Sequence, residues 1–322
     1  MNSPMSRNFL LLLAVGWFLG QATSAVAIEL VHRIPESARR LEIRMEHTPE
    51  YREVYGRHEK RVPLREWLFE TEDATVSGTM SRSKTKIYLA YDWGWTDHWT
   101  VSVKGAIVHK SQTASLSGGS GLELPKSGSV TGLGDTTLGI RKELFASTTW
   151  FTVGGALLVL PTGTAGEAIG HSPNAIGDRQ MDLGGFFRFT WYPLAPGWRN
   201  GFGLRILSQF KGSRKNLQGE SATYYPGNRT EVYYNWSYEA DNLFFGGELK
   251  RVEQQETTLG PNQNNAVLLD KGTLEVGYGN LTDLETQPLP LPWQFRLSWS
   301  QLLRGRNVPA APTLGLTLML FL

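Results

Sequence analysis

Residues 132–139 read GLGDTTLG, a spacing that invites comparison with a phosphate-cradling loop. Dinucleotide loops need three glycines as G-x-G-x-x-G, set between a strand and a helix, so that the backbone can approach the pyrophosphate. Gly132 and Gly134 fit, but Thr137 stands where the third glycine belongs and Gly139 comes too late. Beyond Gly134 the chain alternates instead, with Thr136, Leu138, Ile140 and Leu144 on one side and Asp135, Thr137, Arg141 and Glu143 on the other. That period of two is strand geometry. The glycines therefore let a long loop turn sharply into a strand, with Asp135 directed inward.

A second candidate for chemistry is GHSPNA (170–175), where His171, Ser172 and Asn174 lie close together. A nucleophile and its base must be held within hydrogen-bond reach and oriented by a third group. Here Pro173 interrupts the set within a loop, so no catalytic residues are assigned and no enzyme is expected; an outer-membrane lipid hydrolase stays as a remote alternative. His32, His47, His58, His98 and His109 form neither H-E-x-x-H nor any cluster with ligand spacing, so no metal and no cofactor are expected.

The leader sets the compartment. Arg7 precedes the apolar run NFLLLLAVGWFLG (8–20), and Ala25-Val26-Ala27 gives a small-residue cleavage site, the layout of a secretory signal peptide. The apolar run is shorter than the ~20 residues a spanning helix needs. Residues 1–27 are read as a signal peptide cleaved near Ala27, and no later run is long enough for a helical span. The chain has no cysteine, and 32 Lys and Arg stand against 30 Asp and Glu. A secreted chain of this kind is not a small disulfide-stapled domain, and no basic patch is dense enough for a nucleic-acid partner.

Past residue 73 one pattern repeats. KTKIYLAYDW (84–93) sets Thr85, Ile87, Leu89, Tyr91 and Trp93 against Lys84, Lys86, Tyr88, Ala90 and Asp92. MDLGGFFRFTW (181–191) and PWQFRLSWSQ (292–301) behave alike, and Leu314, Leu316, Leu318, Leu320 and Leu322 finish the series. The spacing predicts about twelve strands, near 74–81, 84–93, 98–109, 133–144, 149–160, 180–192, 200–212, 229–239, 242–253, 271–281, 292–303 and 313–322. Short links alternate with long Gly/Ser/Asn-rich loops, as in transmembrane barrels with tight periplasmic turns and long outer loops. Trp93, Trp95, Trp99, Trp150, Trp191, Tyr192, Trp198 and Trp293 cluster beside the short links, where a barrel places its interface girdle. The fold class expected is all-β, a transmembrane antiparallel up-and-down barrel.

GLGDTTLGIRKEL, then LPTGTAG (160–166), then YPGNRTEVYYNWSYEADNLFFGGEL (225–249) resemble motifs of Gram-negative outer-membrane barrels in the phenol meta-pathway transporter-like family. The resemblance covers roughly residues 84–322. It implies an outer-membrane barrel that passes small, often hydrophobic, molecules. Such barrels usually end in an aromatic residue, whereas this chain ends in Leu322 with Phe321 on the other face, a departure in the signal expected to engage the barrel-assembly machinery through the C-terminal strand.

With the apolar faces toward lipid, the candidate lumen-lining residues are Lys104, Asp135, Arg141, Glu143, Asp182, Arg188, Arg205, Glu248, Glu275 and Arg296. They either form salt-bridged ladders that fill the barrel or frame a narrow pore, since twelve strands lie between the filled eight-stranded and the open 16-stranded barrels. Residues 28–65, dense in charge, are assigned to a periplasmic extension, with an inward-folded plug or an extra strand (LEIRM alternates) as alternatives; the barrel is drawn over 66–322. The expected partners are outer-membrane lipid and a small-molecule permeant. The alternative function is a structural or surface-interaction barrel with a filled lumen and working outer loops.

Overall fold

The structure is a computed structural model that describes residues 34–69, 76–118, 124–163, 181–193, 197–210, 212–215, 221–225, 227–240, 242–255, 258–259, 266–280 and 291–322. The leader and the His171–Asn174 segment lie outside the described residues.

No described helix is long and apolar enough to cross a membrane; the strands cross instead. They are β1 Arg39–Tyr51, β2 Val76–Thr96, β3 Trp99–Gly118, β4 in two halves (Gly128–Leu133 and Thr136–Ala146), β5 Trp150–Leu160, β6 Asp182–Trp191, β7 Trp198–Gln209, β8 Arg229–Ala240, β9 Leu243–Gln254, β10 Val267–Asn280, β11 Trp293–Arg306 and β12 Thr313–Phe321. Each pairs antiparallel with its sequence neighbour, and β1 pairs with both β12 and β2, which closes the ring. At the seam Leu41 lies opposite Leu320 on one side and Tyr91 on the other. Closure leaves no unpaired sheet edge, the condition for a sheet to stand in hydrocarbon, where each unmet backbone group costs several kcal/mol.

This is a twelve-strand barrel, but two of the expected boundaries are corrected. The segment 39–51, assigned to a periplasmic extension, is the first barrel strand: its inward Arg40, Glu42, Arg44 and Glu46 alternate with outward Leu41, Ile43 and Met45. The segments 74–81 and 84–93 are parts of one strand, because β2 runs unbroken for 21 residues beside the 20-residue β3. About 9–11 residues span a bilayer as a strand, so this hairpin rises well beyond the membrane at its outer end.

The outward faces carry exposed apolar side chains all round, from Leu89 (55 %) on β2 through Leu274 (57 %) on β10 to Leu314 (53 %) on β12. In water such a surface would be unstable; in lipid it is the solvated face. Trp93, Trp95 and Trp191 are exposed, while Trp99, Trp150, Tyr192, Trp198 and Trp293 are half-buried. Their register puts them at one end: Trp150 lies opposite Trp191, Trp198 opposite Tyr238, and Trp293 opposite Leu320. Trp150 stacks on Phe145 at 4.0 Å, and Trp198 lies 5.2 Å from Tyr238.

Both mouths are covered in part by the segment expected outside the barrel, and the outer cap takes in residues 66–69 as well, which were expected in the barrel. Residues 52–69 leave β1 at the outer end, where Glu53–Tyr55, Arg61–Pro63 and Val308–Pro309 form a small sheet and Leu64–Leu68 a short helix. Val54, Leu64, Leu68 and Phe69 are buried against Met80 on β2, with Ala114 and Leu116 of β3 beside them. This outer cap is pinned by Glu59, whose carboxylate accepts hydrogen bonds from Arg304 Nε at 2.5 Å and Arg306 Nη2 at 3.1 Å, and by Trp67 Nε1, which donates to Asn307 Oδ1 at 3.0 Å. At the periplasmic mouth Ser37 N–H donates to Gly94 O at 2.8 Å. Ile34 is buried there, at the floor of the lumen among Thr100, Arg141, Glu143, Phe151 and Val153.

Candidate functional site: the lumen

The ten sequence-assigned lumen residues divide nine to one. Lys104, Arg141, Glu143, Asp182, Arg188, Arg205, Glu248, Glu275 and Arg296 stand on inward positions of their strands, each flanked by an outward position. Asp135 differs. It sits in the break between the halves of β4, and its Oδ1 accepts the backbone N–H of Gly163 at 2.9 Å. Beside it Thr162 Oγ1 accepts from Thr136 N–H at 2.9 Å. The break arises because Gly134 turns its N–H to Ala106 O at 2.7 Å between two runs that share β3 as partner. Gly-Asp at one strand start and Thr-Gly at the next strand's end thus form one clip at the outer rim, and Asp135 serves that clip instead of lining the lumen.

The inward charges fall into two groups. One group is committed to partners. Arg40 holds Asp92, with Nε at 2.9 Å and Nη2 at 2.5 Å from Oδ2. Arg199 donates to Glu239, Glu231 takes both Lys250 and Arg229 at 2.7 Å, and Arg44 meets Glu46 at 2.7 Å. Arg296 lies 3.6 Å from Glu275, donates to Gln294 Oε1 and stands 3.9 Å over the Phe244 ring. Lys104 Nζ lies 4.3 Å from the centre of the Tyr88 ring. Such networks are what a water-poor interior requires of its charges.

The other group lacks carboxylate partners. Among the described residues no ion pair is made by Arg141, Arg188 or Arg205, and Arg141 Nη2, Arg188 Nε and Arg205 Nε are buried without an acceptor. The amide of Asn235, turned so that its nitrogen donates to Gly201 O, gives Arg188 Nη2 an acceptor at 3.2 Å. Arg141 and Arg188 face a cavity of about 150 Å³, with Arg40, Phe151, Val153, Phe186 and Tyr233 completing its wall.

That wall holds the residues sequence reasoning missed. β5 reads WFTVGGALLVL, apolar at both parities, so alternation cannot say which side faces in. Register settles it: Val153 lies opposite Arg188 and Glu143, and Leu157 opposite Gly184 and Gly139, so Phe151, Val153 and Leu157 face the lumen. Two glycines make room for aromatic rings on this side. A Cβ on Gly155 would fall 2.5 Å from Phe186 Cε1, and one on Gly203 would fall 2.0 Å from Tyr233 Cζ. Phe186 and Tyr233 therefore cover bare backbone, close to the wall. The cavity is apolar along β5 and β6 and cationic at its edges. The signal available in the sequence was that loss of alternation in β5 together with the paired glycines at 154–155.

No family model matches the sequence, and no curated protein matches it. Among solved structures the barrel is similar to an outer-membrane channel of Pseudomonas putida F1, at 12 % identity over 94 % of this chain and 100 % of that one, with a TM-score of 0.65. The β domain of the Bordetella autotransporter BrkA aligns over 88 % of this chain and 98 % of its own, at 8 % identity and a TM-score of 0.47. A mutant of the TodX monoaromatic hydrocarbon channel aligns over 93 % and 94 %, at 10 % identity and 0.43. At these identities the likeness is one of fold.

Proposed function

We propose that this chain is an outer-membrane channel that passes small molecules, hydrophobic or aromatic ones among them, through a narrow lumen lined by side chains. The observation that carries the reading is the cavity of about 150 Å³ inside a barrel where other inward charges, such as Glu231 with Lys250 and Arg229, are paired. A purely structural barrel gains nothing from an interior void, since unfilled space forfeits packing contacts. The interlocked Gly134-Asp135 and Thr162-Gly163 motifs support a place in the phenol meta-pathway transporter-like family. In this reading the leader is removed near Ala27, the C-terminal strand engages the barrel-assembly machinery, and the Trp girdle from Trp93 to Trp293 sits at the periplasmic headgroup level.

The second reading, a surface-interaction barrel, draws on the cap formed by residues 52–69 at the outer mouth. Single-channel conductance in a planar bilayer separates the two, with heat-dependent gel migration as the control for a folded barrel. Discrete steps are expected of the channel; a heat-modifiable protein that yields none belongs to the second reading.

A further inference from the structure

Resting on the channel reading, we propose that the lumen holds a binding station for a small organic anion with an apolar body, a ring-sized carboxylate being the simplest occupant. The station is the cavity bounded by Arg141, Arg188, Phe151, Val153, Phe186 and Tyr233.

Charge defines one half of the occupant. Arg40 reaches the same space but is spent on Asp92, whereas no carboxylate lies within ion-pairing distance of Arg141 or Arg188 among the described residues. Buried polar groups are normally hydrogen-bonded, and a guanidinium presents a planar fork of donors that fits a carboxylate with two parallel bonds. Arg205 Nε, on the next strand from Arg188, adds a further unmet donor toward the outer side. A path with unmet donors arranged along it draws an anion inward and lets it leave, because no protein carboxylate competes for them.

The wall defines the other half. Chloride or phosphate would satisfy the arginines and leave Phe151, Val153, Phe186 and Tyr233 against water. A neutral aromatic would cover those side chains and leave the arginines unmet. Only an amphiphilic anion answers both. The size agrees: an engineered protein cavity of about 150 Å³ takes up benzene, and this one has the same volume. Gly155 and Gly203 keep it open, since the rings of Phe186 and Tyr233 occupy the space where their β-carbons would stand.

The test uses the full mature chain, purified in detergent and checked for heat-modifiable migration. Equilibrium dialysis with radiolabelled benzoate measures binding directly, and benzoate added to one side of a planar bilayer in KCl measures interruption of the current. Benzoate is expected to bind at least tenfold more tightly than acetate or benzyl alcohol. The double variant R141Q/R188Q should lose about tenfold or more of that affinity, the loss attending removal of a charge-assisted bond. Phe186→Ala should weaken benzoate severalfold and leave acetate unchanged. If the double variant does not fold, R188Q alone and Phe186→Ala carry the same comparison. Equal binding of benzoate, acetate and benzyl alcohol overturns the proposal, as does benzoate affinity that survives the arginine substitutions. Conductance steps without arginine-dependent binding would remove the station and keep the channel; arginine-dependent binding without steps would keep the station and remove the channel.

Discussion

Asp135 Oδ1 accepts the backbone N–H of Gly163 at 2.9 Å, across 28 positions of sequence. The contact ties the break in β4 to the outer end of β5, where Thr162 also bonds Thr136. Asp135→Ala leaves the Gly163 N–H without its acceptor and should destabilise the barrel by about 1–2 kcal/mol, the scale of a lost charge-assisted hydrogen bond. Asp135→Asn keeps an acceptor oxygen and should recover most of the loss. Denaturant titration in detergent reads both, and ion selectivity should be the same in both variants. A selectivity change in Asp135→Ala would return that residue to the lumen.

The outer cap should respond to pH through Glu59. Hydrogen bonding from Arg304, with Arg306 in support, holds the carboxyl of this half-buried residue below the usual carboxylate range. A depressed folded pKa means that the clasp is fully present above the ordinary Glu value and is lost as pH falls through the lowered one. Opening of the outer mouth, read as single-channel conductance, should therefore rise on acidification below about pH 4. Glu59→Gln should show the acid-type conductance already at neutral pH. Equal pH profiles for the two proteins would sever the cap from the conductance.

Arg188 and Arg296 are both inward arginines, yet they should behave differently. Arg296 is bound to Gln294, paired with Glu275 and seated over Phe244. Arg296→Ala orphans those groups in a partly wet interior and should cost about 1–2 kcal/mol, less than a fully dry pair would. Arg188 is not paired with a carboxylate, so Arg188→Ala should leave stability nearly unchanged while reducing anion preference in reversal-potential measurements. The opposite outcome, stability lost at Arg188 and selectivity lost at Arg296, would refute the division into committed and uncommitted charges.

Gly203 offers a steric test of the cavity. Any β-carbon there must displace Tyr233 from the wall, and the ring can move only inward. Gly203→Val should narrow the lumen, lower conductance and cost about 1–3 kcal/mol from overpacking. The pair Gly203→Val with Tyr233→Ala should restore the conductance. Conductance left low in the pair would show that Tyr233 is not the blocking group.

The alternation of β2, β6 and β11 made most of their lipid and lumen faces legible before any coordinates, because a bilayer on one side and a polar interior on the other impose period two; the inward Phe186 of β6 departs from it. β5 defeated the same reading, since its inward residues contact a cavity and are themselves apolar. β1 was hidden for another reason. Its alternation from Arg40 to Glu46 is as regular as any, but its partner Thr313–Phe321 lies at the other end of the chain, and no local pattern announces a distant neighbour. The twelve-strand total survived because β1, carried only as an alternative for that segment, offset the division of β2 in two. Asp135 kept the parity of an inward residue, and only the approach of Gly163 from the following loop gave it a different task.

The pairing of Leu41 with Leu320 makes the barrel a ring whose last join lies between its first and last strands. Eleven strands can zip in order, each onto the one before it, yet the seam waits until the whole chain is present. Until then two edges face the bilayer with their backbone groups unmet. Cutting the chain within β1 should thus not remove an ornament at the start of the protein; it should reopen a slit along the full height of the wall. The N-terminal strand is the keystone, since the ring closes only through its pairing on both sides.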